Sequence, residues 1–207
     1  MTTPTEASPS PNHHAHHPGF AGPSGVLLGL AFALTGGADA RLAVRLAEVR
    51  ATDHVLDIGC GPGNAVRAAA RTGAQATGVD PAEVMRQTAR RLGRSRRVRF
   101  LDGTAEALPV PDDSMTVVLA LATVHHWVDL DAALGEVRRV LRPGGRLVAI
   151  ERNSTPGASG LASHGWTDDQ AEAFAELCRS LGLTDVRVEH PKPRRSRKVV
   201  AVLARLP

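Results

Sequence analysis

The chain has 207 residues, with 25 basic and 21 acidic side chains, and is only mildly basic at a formal net charge of +4. All the basic residues but Lys192 and Lys198 are Arg, a bias that first reflects GC-rich coding and only second a binding surface. Four Phe, two Trp and no Tyr exclude any mechanism that needs a tyrosine, and they argue against gripping single-stranded nucleic acid with stacked aromatics.

This length suits one domain, and a hydrophobic content of 43% is enough for a core built mainly from Ala, Val and Leu. Cys60 and Cys178 give neither a disulfide framework nor metal-ligand spacing. The longest apolar run, Val26 to Leu34, is far shorter than the roughly 20 residues of a membrane span. Nothing from Met1 to Ala40 carries the Lys or Arg of a signal-peptide flank. A soluble, cytoplasmic protein is expected, monomeric or homodimeric.

Residues 1 to 20 are rich in Pro, Ser, Thr and His and are expected to form a disordered tail ahead of a single domain over 21–207. Within the tail, His13-His14-x-His16-His17 has no Cys or carboxylate placed to complete a metal site, so no metal is expected. The run Val26 to Leu34 is read as a covering helix. The chain then alternates. Helical spacing marks Ala38–Val49, and His54–Ile58 reads as a short buried strand ending in glycines. Helix Asn64–Arg71, strand Ala74–Val79, helix Ala82–Leu92 and strand Val98–Leu101 follow. Met115–Leu121 is a continuous apolar run, as in a strand covered on both faces. Helix Asp129–Leu141 is stopped by Pro143-Gly144-Gly145, then come strand Arg146–Glu151, a Gly/Ser-rich link, and helix Thr167–Leu181. Val186–Glu189 and Val199–Leu203 are separated by too short a loop for a helix, so they form an antiparallel hairpin. The alternation implies an α/β, doubly wound, mostly parallel sheet closed by that hairpin.

Ligands of such sheets bind beyond the carboxyl ends of the strands. The first loop there is Asp57-Ile58-Gly59-Cys60-Gly61-Pro62-Gly63, with G-x-G-x-G spacing. A dinucleotide fingerprint needs its last glycine at position 64, which is Asn here, and this weakens a nicotinamide reading. Asp80 ends the next strand, where a carboxylate can accept hydrogen bonds from both hydroxyls of a ribose. Cys60 reads as a space-filler, since no partner base is visible.

Taken together, Val55–Gly63 (VLDIGCGPG), Gly78–Pro81 (GVDP), Gly103–Pro109 (GTAEALP), His125-His126-Trp127 and Glu136–Ile150 (EVRRVLRPGGRLVAI) resemble the class I S-adenosylmethionine-dependent methyltransferases, in the small-molecule group that includes quinone-precursor methylases. The likeness covers residues 50 to 151, and it implies a seven-stranded Rossmann-like methyltransferase fold. It also implies roles. Gly59, Gly61 and Gly63 would pack beside the methionine part of S-adenosylmethionine. Asp57 would help hold its amino group, Asp80 its ribose, and the Ala105 N–H its adenine. Thr104 stands where the family usually has an Asp for the adenine amino group, so that bond would lack charge assistance. Thr116 replaces an Asp at the start of the fourth strand and is read as structural.

His125 follows the fourth strand and is the candidate general base, in a reaction for which a base is optional. His126, Trp127, Glu151, His164 and Trp166 are candidate pocket residues, with a purely structural role as the alternative for each. The expectation is methyl transfer to O, N or C of a small molecule by in-line displacement. Three rivals stand beside it: an RNA methyltransferase, a non-catalytic protein on the same fold, and an NAD(P)-dependent oxidoreductase. The RNA rival rests on the seven Arg of residues 86–99 and on Arg194, Arg195, Arg197 and Lys198. Without Tyr there is no Pro-Pro-Tyr grip on an amino group, and no Pro-Cys nucleophile motif occurs.

Overall fold

The computed structural model describes residues 10–15, 34–191 and 198–207. The apolar run from Val26 lies outside them except for Leu34, as do Arg194, Arg195 and Arg197 of the hairpin loop. Seven strands form one sheet: β1 (His54–Ile58), β2 (Gln75–Val79), β3 (Val98–Leu101), β4 (Met115–Leu121), β5 (Leu141–Arg152), β6 (Thr184–Glu189) and β7 (Val199–Arg205). Their order is β3-β2-β1-β4-β5-β7-β6. The first five run parallel, while β7 pairs antiparallel with both β5 and β6. The doubly wound sheet with a terminal hairpin is therefore as expected from the alternation.

Period-two side-chain alternation sorts the sheet onto two cores. Val117 and Leu119 of β4, Val148 and Ile150 of β5, and Val199, Ala201 and Leu203 of β7 face one side. That side is covered by α1 (Gly37–Leu46) and α2 (Asn64–Ala70), with Ala89 of α3 (Glu83–Leu92) reaching it. Val118, Ala120, Leu147, Ala149, Val200 and Val202 face the other side, under α4 (Leu130–Val140) and α5 (Asp168–Ser180). Capping starts both of these helices. Asp129 accepts the Ala132 N–H, and Thr167 and Gln170 form a reciprocal capping box.

Two expectations need correction. Helix α4 ends at Val140, before Pro143, because Leu141 already pairs with Met115; the Pro-Gly-Gly run bulges out of a strand that starts earlier than its apolar pattern. Part of the expected disordered tail is also seated on the domain. Ser10 to Ala15 turn over the carboxyl ends of the strands, where Asn12 Nδ2 donates to Trp127 O at 3.0 Å and Trp166 Nε1 donates to Pro11 O at 2.8 Å.

Strand order reverses between β1 and β4, so the loops leaving these two strands part to opposite sides of the sheet and open a crevice at its carboxyl edge. The glycine loop and the His125 turn are those two loops.

Candidate active site

Strand β1 delivers Asp57 into the sheet, paired in register with Gly78 of β2 and Leu119 of β4. Its carboxyl is 2% exposed, and burial first, then the nearby Asp80 charge, pushes its pKa up to about 8. The chain then turns through Gly59 and Gly61 at φ 65° and 50°, a left-handed region that side chains resist. A Cβ on Gly59 would come within 2.8 Å of Thr123 Cβ, and one on Gly63 would meet the Phe100 ring. Only at Gly61 does the Cβ direction lead into open space. Two of the three loop glycines are thus required by the protein's own packing, and the third fronts the crevice.

Asp80 is buried at the end of β2, and desolvation raises its pKa. Its Oδ2 accepts the Gly61 N–H at 2.8 Å and its Oδ1 the Ala82 N–H at 2.9 Å. These bonds tie the glycine loop to the next strand and still leave each oxygen a lone pair. Arg86, itself buried, donates to Asp80 O at 2.7 Å and to Asp102 at 2.8 Å, and it also binds Glu83. Two buried carboxylates beside an open glycine backbone make a place for a cationic ligand with hydroxyl donors.

Across the crevice, Ala122 leaves β4 at φ 52° with its N–H on Ile150 O, and this swings the chain into a short 3-10 turn over Val124–His126. Beneath the turn sits Glu151 from β5, fully buried. Its Oε2 lies 2.9 Å from His125 Nδ1, and its Oε1 accepts the Val124 N–H at 2.9 Å. His125 is 2% exposed, and its Nε2 has no hydrogen-bond partner among the described residues. His126, half-buried, is held down to a pKa of about 4 by burial and by the neighbouring His125. His164 comes to the same spot from the link before α5, and His14 from the N-terminal turn, stacked on His164 at 4.4 Å. His14 also donates its backbone N–H to His125 O at 2.9 Å. A cleft of about 250 Å³ opens beside the neighbouring His13, with Ser163, Thr167 and Gln170 among its walls.

Several predicted site residues lie elsewhere. Trp127 and Trp166, expected to wall the pocket, are buried in the core against Phe174, with ring centroids 6.2 and 5.0 Å from it. Glu151 meets no open pocket but orients His125. Thr104 and Ala105 do stay at the carboxyl edge, on the loop after β3: Thr104 is exposed and bridges to Ala107, while Ala105 is buried. Cys60 packs under Gly78, its thiol pushed well up by burial, as suits a space-filler. Thr116 lies at the amino end of β4, where its Oγ1 donates to Asp53 at 2.6 Å, a structural role at the far edge of the sheet. Of the seven Arg in 86–99, Arg86, Arg90, Arg97 and Arg99 donate to groups within the chain, which leaves less of that cluster for phosphates. Thr123 and His14 went unread as site residues. Each acts through a contact with a distant segment, and nothing in its local sequence signals that.

Residues 56–149 match the family described as a methyltransferase domain. Demethylmenaquinone methyltransferase of Thermus thermophilus is 42% identical over 126 residues, which are 58% of this chain and 57% of that protein. The 27-O-demethylrifamycin SV methyltransferase of Amycolatopsis mediterranei is 38% identical over 155 residues, 70% of this chain and 53% of the relative. The chain spans about half the length of the curated relatives it matches. A solved S-adenosylmethionine-dependent methyltransferase from Aquifex aeolicus shares the fold, with a TM-score of 0.68 at 19% identity over 81% of this chain and 89% of that one. These likenesses support a class I S-adenosylmethionine-dependent methyltransferase domain over residues 56–149.

Proposed function

We propose that the protein transfers the methyl group of S-adenosylmethionine to a small-molecule acceptor, with the cofactor along the glycine loop and the acceptor on the histidine side of the crevice. The observation that carries this reading is the pair of buried carboxylates, Asp57 and Asp80, beside the open backbone of Gly61. Uncompensated, that burial is costly, and a cationic amino acid with a ribose attached relieves it.

When bound, S-adenosylmethionine supplies an electrophilic methyl on a sulfonium. Asp57 holds the ammonium end, and Asp80 takes the ribose hydroxyls on the lone pairs its backbone partners leave over. The Ala105 N–H and Thr104 hydroxyl would hold the adenine. Alignment of acceptor, methyl and sulfur supplies most of the acceleration, up to about 7–11 kcal/mol from fixed proximity. His125, oriented by Glu151, is the proton acceptor when the nucleophile is a hydroxyl or an activated carbon. The demethylmenaquinone and 27-O-demethylrifamycin enzymes named among the relatives support a quinol-type or hydroxyl-bearing small-molecule acceptor. Two free, buried cysteines suit a cytoplasmic location.

Calorimetric titration with S-adenosylmethionine and with NADH tests the cofactor, and label transfer from methyl-labelled S-adenosylmethionine to a panel of phenols and quinols tests the reaction. Binding of NADH alone would overturn the reading.

A further inference from the structure

Three segments far apart in the chain bring imidazoles to one point. Among His14, His125, His126 and His164, every pair of ring centroids lies between 4.1 and 5.9 Å. His125, His126 and His164 each offer a ring nitrogen, and the three nitrogens lie within 4.8 Å of one another.

The tautomers follow from the outer partners. Glu151 Oε2 accepts from His125 Nδ1, so in the neutral ring the lone pair is on Nε2, a buried atom with no hydrogen-bond partner among the described residues. His126 Nδ1 donates to His14 O at 3.4 Å, which leaves its Nε2 as the lone pair as well. Ring nitrogens that converge at one partly buried point suit a cation placed between them. A histidine whose other N–H is held by a carboxylate or a backbone carbonyl is the arrangement by which proteins fix imidazole ligands.

We propose that His125, His126 and His164 bind a divalent transition-metal ion, zinc by preference, with Glu151 and the His14 carbonyl as the outer groups that orient the ligands. Three imidazoles leave the fourth tetrahedral position to an exchangeable group. Ligand nitrogens around zinc stand about 3.3 Å apart for bonds of about 2.0–2.1 Å, so the rings must close by roughly 1 Å or somewhat more. His126 and His164 are half-buried on short turns, where such a shift is inexpensive. Neutral imidazoles without thiolates suit zinc, cobalt, nickel or copper rather than magnesium or calcium. The ion lies on the acceptor side of the proposed methyl-transfer centre; while it is bound, His125 is a ligand and not a base, and the acceptor instead loses its proton by binding at the open position as a phenolate or enolate oxygen. That last statement rests on the methyl-transfer reading, whereas binding of the ion does not.

The test uses the metal-stripped full chain, titrated with zinc chloride against a chromophoric chelator and with cobalt chloride by visible absorption. One equivalent should bind, and the cobalt form should show the intense d–d bands of a four-coordinate site. His164→Ala should abolish those bands and weaken zinc binding at least a hundredfold. Glu151→Gln should weaken it about 10- to 100-fold. The tail histidines could bind metal by themselves, so the H13A/H16A/H17A triple variant is the control, and it should keep one tight equivalent with unchanged bands. Binding that survives in His164→Ala, or that disappears with the tail histidines, overturns the site. Either result leaves S-adenosylmethionine titration untouched, so failure of the metal proposal is distinguishable from failure of the methyltransferase reading.

Discussion

Glu151 holds the His125 turn by two bonds at once: its Oε2 lies 2.9 Å from His125 Nδ1, and its Oε1 takes the Val124 N–H at 2.9 Å. One carboxylate therefore sets both the path of the chain after β4 and the tautomer of the imidazole. A side-chain amide has a single acceptor oxygen and can serve only one of those N–H groups. Glu151→Gln and His125→Asn should each lower kcat about a hundredfold, with the S-adenosylmethionine Kd unchanged. Glu151→Ala should in addition destabilise the fold by about 1–3 kcal/mol for each buried N–H left unpaired. Steady-state kinetics beside calorimetry and thermal melts separates the two effects. A fall in cofactor affinity that matches the loss of rate would contradict the division of labour.

The loop glycines divide by what their missing Cβ would meet. At Gly59 an added Cβ overlaps Thr123, in a backbone region that already costs alanine about 1–2 kcal/mol. Gly59→Ala should therefore cost about 3 kcal/mol in all, a fall in Tm of roughly 6–12 °C. Gly61→Ala meets only the backbone cost and should fold well, but its methyl enters the space assigned to the cofactor. Its S-adenosylmethionine Kd should rise about tenfold or more, the equivalent of about 1.4 kcal/mol. Equal losses of stability in the two variants would remove the argument that Gly61 is the ligand-facing glycine.

What the sequence could reveal follows the range of the interactions. The strand pattern, the glycine loop and Asp80 are local, because period-two apolar runs and G-x-G-x-G spacing record backbone demands within a few residues. The pairing of His125 with Glu151 depends on β4 and β5 lying side by side, with Leu121 opposite Ile150, and no spacing announces that register. His164 sits in an aperiodic link and His14 in a Pro- and His-rich segment whose composition reads as disorder, so their meeting was invisible. The two Trp misled for a related reason. Their place beside candidate residues suggested pocket walls, while the packing of α5 required them in the core.

Asp57 couples stability and cofactor binding to pH. Its pKa is raised from 3.8 to about 8 in the fold, so the native state holds a proton that the unfolded chain has already lost across that window. The unfolded state binds fewer protons there, and stability falls as pH rises, at a ceiling of about 1.4 kcal/mol per pH unit. Asp57→Asn should flatten that slope and raise the Tm of the unliganded protein at pH 8. The same substitution should weaken S-adenosylmethionine, whose ammonium favours the ionised carboxylate. Binding to the native chain below pH 8 should release protons, seen as a dependence of the calorimetric enthalpy on the buffer's ionisation enthalpy. If Asp57→Asn keeps both the pH slope and the proton release, another group is responsible.

Thr104 offers a gain-of-function test of the adenine end. It is exposed and stands one residue before the buried Ala105, on the loop that follows β3. A hydroxyl accepts a neutral hydrogen bond worth about 0.5–1.5 kcal/mol, and a carboxylate in its place about 1.5–3 kcal/mol. Thr104→Asp should therefore tighten S-adenosylmethionine by about 1 kcal/mol, roughly fivefold, with kcat little changed. The gain should vanish for S-inosylmethionine, in which a carbonyl replaces the adenine amino group and meets the new carboxylate as an acceptor facing an acceptor. Equal tightening of both ligands would mean that the added charge acts on the sulfonium and ammonium at long range. Thr104 would then lie outside the adenine contact.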